Sequence, residues 1–593
     1  MSVLANRILA LFVLFVPLFL AASPASAQST PEAQFGVAEQ NFVRMERSSP
    51  ALAAKAADLG RVEAGKNIDR MLLMLSPSAE QEAALQLFME QQQNPASVNF
   101  HHWLKPSEFG ARFGADAADV QRVRSWLEGS GFRISAAAKS GRWIEFAGTS
   151  SQVENAFRTE LHYFQLAGKH YLANTKDISL PSSIAQISRG LVSLNNFPKR
   201  PPTQLRAGIA GITAQGQKVR LTPNLTAVGN ANTFYLAPGD FAAIYNTKPL
   251  LSGGNDGGGI SIAITAQSQI ELTDVEAFRQ IFRLKTNDPN IYVSGPDPGI
   301  GASIDQQEAT LDVEWAGAVA PGATINLVIA GSTDSTNGVD LAAAYAIDNQ
   351  IAPILTYTYG SCEQSLQASG NAFYNALWQQ AAAEGITVLV ATGDNGSAGC
   401  DADAPGSAAT GGMTVNGAAT TPFNVAVGGT QFNDTATPAT FWSGSNNADY
   451  SSALGYIPES AWNESCDTAQ PTGPTNCFFS NGNFSTLASG GGASMIYAKP
   501  SWQSGAGVPM DGFRDIPDVA LAAASGHDDI VYCNSQGGTA CEINAQNQVV
   551  GLTLVGGTSA STPAMAGILA LIEAKNGAYQ GQINYTLYKL AKN

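Results

Sequence analysis

From about Tyr235 onward, short apolar runs rich in β-branched residues alternate with longer stretches whose apolar residues recur at helical spacing. The strand-like runs are "GISIAITA", "TINLVIAG", "PILTYTYG" and "ITVLVATGD". This alternation predicts βαβ units and a mostly parallel, buried sheet. The pattern therefore predicts an α/β domain over residues 235–593, and an active site at the carboxyl ends of its strands.

Residues 28 to about 195 have a different pattern. Amphipathic helical stretches such as "SAEQEAALQLFMEQQ" and "DAADVQRVRSWLEGSG" alternate there with strand-like pieces such as "WIEFAG" and "LHYFQLAG". They predict a small, separate α+β domain. Residues 196–234 are rich in Pro, Gly, Thr and Asn and include Lys199 and Arg200. They predict an exposed linker that carries a processing site.

Residues 1–27 have the pattern of a secretion signal. Arg7 precedes an apolar run from Ile8 to Leu20, and small residues lead up to Ala27. The apolar run is shorter than the roughly 20 residues that a membrane-spanning helix needs. We therefore expect cleavage after Ala27, an extracellular or periplasmic protein, and no membrane association after cleavage.

The charge and the cysteine content of the chain argue against some partners and predict disulfides. The 593-residue chain has a formal net charge of −16 and only 13% charged residues, which argues against nucleic acid as a partner. Its six cysteines are an even number in an exported chain, so disulfides are expected. The simplest pairing is sequential, Cys362–Cys400, Cys466–Cys477 and Cys533–Cys541. The chain has no CxxC or HExxH motif to support a zinc site.

The stretch "VGGTSASTPAMAGILALIEA" combines a glycine pair, a Thr-Ser and a proline with a long apolar run. It predicts a turn into a helix with Ser559 at the helix N-terminus, where serine is either a cap or a nucleophile. The surrounding pattern favours the nucleophile, which needs a general base. Four of the five histidines lie before residue 195, and the fifth, His527, has no suitable context. The remaining candidate bases are carboxylates.

Three acidic residues are candidates for this chemistry. Glu308 and Asp312, in "DQQEATLDVEWAGAVAPGA", are four residues apart and so project from one face of a predicted helix. Alone, such a pair indicates a solvated surface. The lack of a histidine partner for Ser559 makes a catalytic role for the pair more plausible. Asp394 follows a predicted strand in "VATGDNGSAG", which is also ordinary turn chemistry.

Taken together and in order, "EATLDVEWAGAVAPGA", "ATGDNGS" and "GGTSASTP" resemble the motifs of the sedolisin family, the serine-carboxyl peptidases. The stretch "FHHWLKPSEFGARFG" resembles the activation domain of kumamolisin-like secreted precursors. The resemblance covers about residues 35–195 and 235–593. It implies a subtilisin-like catalytic domain preceded by a small α+β, ferredoxin-like activation prodomain, which acts as intramolecular inhibitor and folding aid.

The resemblance also implies a role for each residue. Ser559 would be the nucleophile, Glu308 the general base, Asp312 the residue that orients Glu308, and Asp394 the acid of the oxyanion hole. A carboxylate with an ordinary pKa works as a base at acidic pH, and Asp394 must be protonated to donate a hydrogen bond. The function implied is a secreted, acid-acting, monomeric endopeptidase that is made as a zymogen and acts on polypeptides.

Members of the family carry calcium in a glycine-rich segment after the "LYKLA" helix, where oxygen ligands gather. The resemblance thus implies calcium, but the chain stops at Asn593, before such a segment, and has no identifiable metal ligands. We expect either a truncated peptidase domain or a protein that functions without calcium. An inactive or truncated homologue that acts as a binding module is the alternative function. A histidine-dependent subtilase is a third, which the histidine positions disfavour.

Overall fold

The computed structural model describes residues 41–201, 204–210, 235–301, 304–402, 407–467, 484–525, 529–536, 540–543, 545 and 549–592, with backbone only at 204–210. Residues 42–593 form one compact unit. The predicted signal peptide, residues 1–27, lies outside the described residues. No helix in the described ranges combines the length and apolar character needed to cross a membrane.

The N-terminal part of the chain is a small α+β domain, as predicted. Its strands are β1 (Phe42–Arg44), β2 (Ala57–Arg61), β3 (Asn67–Leu75), β4 (Arg133–Ala137), β5 (Trp143–Thr149), β6 (Leu161–Leu166), β7 (Lys169–Asn174), β8 (Ser179–Pro181) and β9 (Ser188–Leu191). Its helices are α1 (Ala79–Gln92), α2 (Pro106–Phe113), α3 (Ala117–Gly129), α4 (Ser150–Phe157) and α5 (Ser182–Ala185).

A four-stranded antiparallel sheet organises this domain in the order β4-β5-β3-β9. Helices α1 to α3 connect β3 to β4, and α4 follows β5, which gives the ferredoxin-like arrangement. Helix α1 begins at a capping box: the Ser78 side chain accepts from the Gln81 amide, and the Gln81 side chain accepts from the Ser78 amide. The local sequence therefore sets where the helix begins.

The second domain is α/β. After β10 (Gln204–Ala210), its strands are β11 (Ser261–Ala266), β12 (Asn290–Val293), β13 (Thr324–Ile329), β14 (Ile354–Tyr357), β15 (Thr387–Ala391), β16 (Val425–Phe432), β17 (Glu459–Ala461), β18 (Cys466–Asp467), β19 (Phe484–Ser485), β20 (Gly492–Ala498), β21 (Phe513–Ile516), β22 (Val519–Ala522), β23 (Ile530–Cys533), β24 (Glu542–Ile543), β25 (Val549–Val550) and β26 (Leu552–Gly556). Its helices are α6 (Pro238–Ile244), α7 (Lys248–Ser252), α8 (Leu272–Ile281), α9 (Ile304–Val319), α10 (Gly338–Asp348), α11 (Glu363–Ala383), α12 (Pro438–Phe441), α13 (Thr558–Asn576) and α14 (Asn584–Leu590).

An eight-stranded sheet runs through this domain in the order β12-β13-β11-β14-β15-β16-β17, with β22 also paired to β16. Every pairing is parallel except that of β16 with β17. The sheet is therefore mostly parallel and buried, as the apolar runs predict.

Helices α9 and α13 pack together closely because Gly567 lies against α9. A Cβ atom at Gly567 would come within 2.6 Å of the Val319 Cβ and 3.1 Å of the Ala316 carbonyl oxygen. The indole of Trp315 is fully buried and donates to the Val531 carbonyl at 2.9 Å. This packing fixes α9 and α13, the helices that carry Glu308 and Ser559, relative to each other.

Two of the predicted disulfides, Cys362–Cys400 and Cys533–Cys541, are formed. For the third predicted pair, Cys477 lies outside the described residues. Within the predicted linker, residues 204–210 form β10. This strand pairs antiparallel with β26, and Gln204 lies opposite Gly556.

The N-terminal domain packs directly on the α/β domain. The indole of Trp103 lies over Gly385 and Gly581, where a Cβ atom would come within 2.4 and 2.5 Å of the ring. Asp348 at the end of α10 accepts hydrogen bonds from the backbone amides of Lys139 and Ser140. The "FHHWLKPSEFG" stretch thus supplies a large aromatic side chain to the interface between the two domains.

Candidate active site

The turn that leads into α13 explains the glycine pair before Ser559. Gly557 has φ +114°, a conformation that side chains disfavour, and a Cβ at Gly556 would meet the Ser525 Cβ at 2.4 Å. Ser559 follows as the second residue of α13 and is fully buried. The chain therefore presents the Ser559 hydroxyl at the positive end of a long helix.

Glu308 lies next to Ser559. Its carboxyl group is hydrogen-bonded to the Ser559 side chain, and Asp312 lies one helical turn further along α9. Neither carboxyl group is on a solvated face, because Glu308 is 0% exposed and Asp312 is 1% exposed. The expectation that such a pair, taken alone, indicates surface is wrong for this helix, which is buried on nearly all sides.

Burial changes the acid strength of this pair. It raises the pKa of Glu308 well above its ordinary value, and the neighbouring Asp312 charge raises it further. Burial likewise raises the pKa of Asp312. Two buried carboxyl groups this close resist carrying two negative charges, so the pair retains one proton over a wide acidic range. The sequence predicts a base of ordinary pKa, and the structure corrects that expectation.

Thr358 is a site residue that the sequence reasoning missed. Its hydroxyl donates to Asp312 Oδ2 at 2.7 Å, and its side chain also contacts Glu308. Thr358 directly follows β14, at the carboxyl edge of the sheet, where site residues are expected. That position is the signal that could have identified it.

Asp394 lies on the same edge, after β15. Its Oδ1 accepts from the Thr558 amide at 2.8 Å and from the Thr558 hydroxyl at 2.9 Å. Its Oδ2 is buried and has no hydrogen-bond partner among the described residues. Burial raises the pKa of Asp394 to about 8, although the Thr558 hydrogen bonds oppose the rise. Asp394 is therefore protonated at acidic pH, with Oδ2 available to donate a hydrogen bond.

Thr558 was also missed by the sequence reasoning. Besides holding Asp394, its hydroxyl accepts from the Gly393 amide at 3.1 Å. It connects the turn after β15 to the first residue of α13, and so fixes Asp394 relative to Ser559. Its position immediately before the predicted nucleophile is the signal that could have identified it.

A cleft of about 380 Å³ opens at this edge and includes Gly393 and Asp394 in its lining. The "SGGGAS" segment packs against the Asp394 turn, since the Gly490 amide donates to the Gly393 carbonyl at 2.6 Å. A Cβ at Gly490 would meet the Thr392 carbonyl oxygen at 2.2 Å. Only glycine permits this close approach of the two segments.

The histidines that the structure describes all lie in the N-terminal domain, and His527 lies outside the described residues. His162, for example, is in the N-terminal domain and is hydrogen-bonded to Asp58. Within the described ranges there is no group of three or more His, Cys, Asp or Glu side chains that could hold a metal ion. No catalytic step is assigned to calcium.

Both domains match known protein families. Residues 54–197 match the family described as Pro-kumamolisin, activation domain, and residues 299–591 match the subtilase family. Over 94% of its length, the chain is 28% identical to xanthomonalisin from Xanthomonas sp. (strain T-22). It is also 28% identical to sedolisin from Pseudomonas sp. (strain 101), over 88% of its length. The chain therefore combines a Pro-kumamolisin activation domain with a subtilase-family domain, and sedolisins are among its relatives.

The extent of the match differs among these relatives. The chain spans 62% of the length of xanthomonalisin and 79% of the length of Pseudomonas sedolisin. Against kumamolisin from Bacillus sp. (strain MN-32), 27% of residues are identical over 91% of this chain and 86% of the relative. A solved structure of Pseudomonas sedolisin with two molecules of pseudo-iodotyrostatin gives 25% identity and a TM-score of 0.45 over 60% of this chain and 85% of that one.

Proposed function

We propose that this protein is the precursor of a secreted, acid-acting endopeptidase that cleaves polypeptides through an acyl-enzyme on Ser559. The observation that carries the proposal is the convergence of the Ser559 hydroxyl, the Glu308 carboxyl group and the buried Asp394 carboxyl group at one edge of the sheet. They are a nucleophile, a base in hydrogen-bond contact with it, and an acid with an oxygen left to donate.

Acylation begins when Ser559 Oγ attacks the scissile carbonyl carbon and its proton moves to Glu308. The carbonyl oxygen becomes an oxyanion, which protonated Asp394 stabilises by donating from Oδ2, together with the positive end of α13. Glu308 then gives the proton to the amide nitrogen, the carbon–nitrogen bond breaks, and the C-terminal product leaves as an amine.

Deacylation repeats these steps with water. Glu308 takes a proton from the water molecule as its oxygen attacks the ester carbon. The tetrahedral intermediate collapses by releasing Ser559 Oγ, which takes the proton back from Glu308. Asp312 acts through Glu308, because its charge and its Thr358 hydrogen bond decide which of the two carboxyl groups holds the shared proton.

The pH range of the peptidase activity follows from the pKa values of these carboxyl groups. Asp394 loses its proton, and with it the oxyanion donor, as the pH rises through its pKa of about 8. In the precursor, linker residues are part of the lining of the cleft. Removing the linker admits water, reduces the burial that raises these pKa values, and moves the range of activity to lower pH.

The linker supports the zymogen part of the proposal. Pro198, Arg200 and Pro201 line the cleft that contains Asp394. The Arg200 carbonyl accepts from the Gly360 amide at 3.2 Å, and Gln204 is opposite Gly556, three residues before Ser559. The residues described just before and just after positions 202–203 therefore both pair with segments near the site. We infer that maturation cleaves between Pro201 and Gln204.

Acid treatment of the purified full-length precursor tests this function. We expect it to stay intact near neutrality and to be cut between Pro201 and Gln204 on acidification, with peptidase activity appearing at the same time. Ser559→Ala and Glu308→Gln precursors should stay intact and inactive, while His527→Ala should behave as the parent protein. N-terminal sequencing and mass spectrometry locate the cut.

Two results would reject the proposal. If the acid-treated parent protein cleaves no peptide at any pH, the chain is an inactive homologue and the binding-module alternative is favoured. If His527→Ala is inactive while Glu308→Gln retains activity, the enzyme is a histidine-dependent subtilase.

A further inference from the structure

The last residues before the cleft are held in an extended path by α10 and β14. The Lys199 amide donates to the Asn337 side chain at 3.0 Å, and the Asn337 side chain donates to the Phe197 carbonyl at 3.3 Å. Arg200 then forms an antiparallel bridge with Gly360. An extended segment with backbone pairing is also the form in which a peptide adds to a strand edge.

The Lys199 side chain enters a separate pocket beneath this path. Its ammonium group pairs with Asp340 Oδ2, donates to the Tyr374 hydroxyl at 2.7 Å, and lies 4.8 Å from the centre of the Tyr374 ring. The Lys199 side chain is only 10% exposed. Three kinds of contact therefore recognise one cation: an ion pair, a hydrogen bond and a cation–π contact.

Hydrogen bonds other than those of Lys199 also hold Asp340 in place. Asp340 is 0% exposed, and its Oδ1 accepts from the Tyr357 hydroxyl at 2.9 Å and from the Tyr374 hydroxyl at 2.6 Å. Asp340 is in the first turn of α10, and Tyr357 is the last residue of β14. A rigid helix, a strand and α11, which carries Tyr374, thus fix the carboxylate, leaving Oδ2 for the ligand.

The position of the pocket would allow a side chain of a bound substrate to enter it. Lys199 is one residue before the residue that pairs with Gly360, and Pro201 lines the cleft with Asp394. A polypeptide that lies along the same edge toward Ser559 would place one side chain in the pocket. When the linker leaves, the Asp340 carboxylate has no cation, and a buried charge without its partner is costly.

We propose that Asp340, Tyr357 and Tyr374 form a substrate subsite that selects lysine at one fixed position on the N-terminal side of the scissile bond. This inference rests on the proposed peptidase function. Lys199 occupies the subsite in the precursor, so the linker acts as a substrate-like ligand of its own enzyme. Arginine is accepted less well, because the pocket fits a single ammonium group between Asp340 and the Tyr374 ring.

The first experiment needs no activity. Reductive methylation of lysines in the full-length Ser559→Ala protein, read by mass spectrometry, should leave Lys199 protected and label Lys55, which is exposed at the same cleft. Adding Asp340→Asn should raise Lys199 labelling to the level of Lys55. Equal labelling of Lys199 and Lys55 in the Ser559→Ala protein would overturn the proposal.

The second experiment measures preference. Peptides of the sequence "FPKRPPTQLR" are compared with copies in which norleucine replaces the lysine, using the acid-treated full-length protein. We expect kcat/KM to favour lysine by about 30-fold or more, which is the scale of losing one partner of a buried charge pair. Asp340→Asn should reduce the preference to within about threefold. Asp348→Asn removes another buried carboxylate of α10 and should leave the preference intact.

The outcomes separate this inference from the proposed function. Cleavage of both peptides at equal rates refutes the subsite and leaves the peptidase function standing. Protection of Lys199 without cleavage of any peptide refutes the peptidase function and the substrate role of the pocket together, leaving a contact of the linker only. Loss of the preference in Asp348→Asn as well would show that it does not reside at Asp340.

Discussion

Asp394→Asn and Asp394→Ala together isolate the oxyanion role proposed for this residue. Asparagine keeps an oxygen for the two Thr558 hydrogen bonds and places an amide donor where Oδ2 lies, whereas alanine removes both. An asparagine donor cannot lose its proton near neutral pH. The pair of variants therefore separates loss of the donor from loss of its ionisation.

The two variants should lose different amounts of activity. Removal of an oxyanion donor costs about 100-fold to 1,000-fold in kcat, so Asp394→Ala should lose that much at acidic pH. Asp394→Asn should stay within about tenfold of the parent there. The parent should lose activity as the pH rises through the pKa of Asp394, which burial raises above its ordinary value, while the asparagine variant should not show this decline.

The same shift predicts an effect on stability. The pKa of Asp394 is raised from 3.8 to about 8 in the folded protein, so folding favours the protonated form by about 6 kcal/mol. This stability is fully present below the ordinary pKa of 3.8 and is lost as the pH rises to about 8. Relative to the parent, Asp394→Asn should therefore gain about 4 kcal/mol in free energy of unfolding between pH 4 and pH 7.

Two assays measure these quantities. Steady-state hydrolysis of one peptide from pH 3 to pH 9 gives the profile of kcat/KM for each variant. Urea unfolding of the same variants in a Ser559→Ala background, where self-cleavage is absent, gives the free energy at each pH. If the asparagine variant is as inactive as the alanine variant, or declines at high pH like the parent, Asp394 is not a protonated oxyanion donor.

Three further substitutions test the site and the interface between the two domains. Asp312→Asn should move the acidic limb of the kcat/KM profile to lower pH, because the variant removes the charge that raises the pKa of Glu308; an unchanged limb would mean that the two groups are not coupled. Trp103→Ala should destabilise the Ser559→Ala precursor by about 2–4 kcal/mol in urea unfolding, since the indole fills the space over Gly385; a change under 0.5 kcal/mol would contradict this packing. Gly557→Ala should lower kcat at least about tenfold at unchanged far-UV circular dichroism, because φ +114° strains alanine and displaces Ser559; full activity would show that the turn tolerates a side chain.

The alternation of apolar runs was enough to predict the α/β class, the parallel sheet and the strand ends that carry the site. Those features depend on local periodicity and on the general geometry of parallel sheets, which a sequence displays directly. The glycine pair before Ser559 likewise predicted the turn into α13, because a positive φ such as that of Gly557 favours glycine. The prediction that no histidine serves as the base came from inspection of the chain alone.

Tertiary structure decided the properties that depend on what surrounds a side chain. The spacing of Glu308 and Asp312 is the same on a solvated helix and on a buried one, and only the packing of α9 against α13 removes water and raises their pKa values. Thr358 contacts the pair only because β14 ends beside α9. The Lys199 pocket joins residues about 140 to 175 positions away from it along the chain, so no local pattern could predict it.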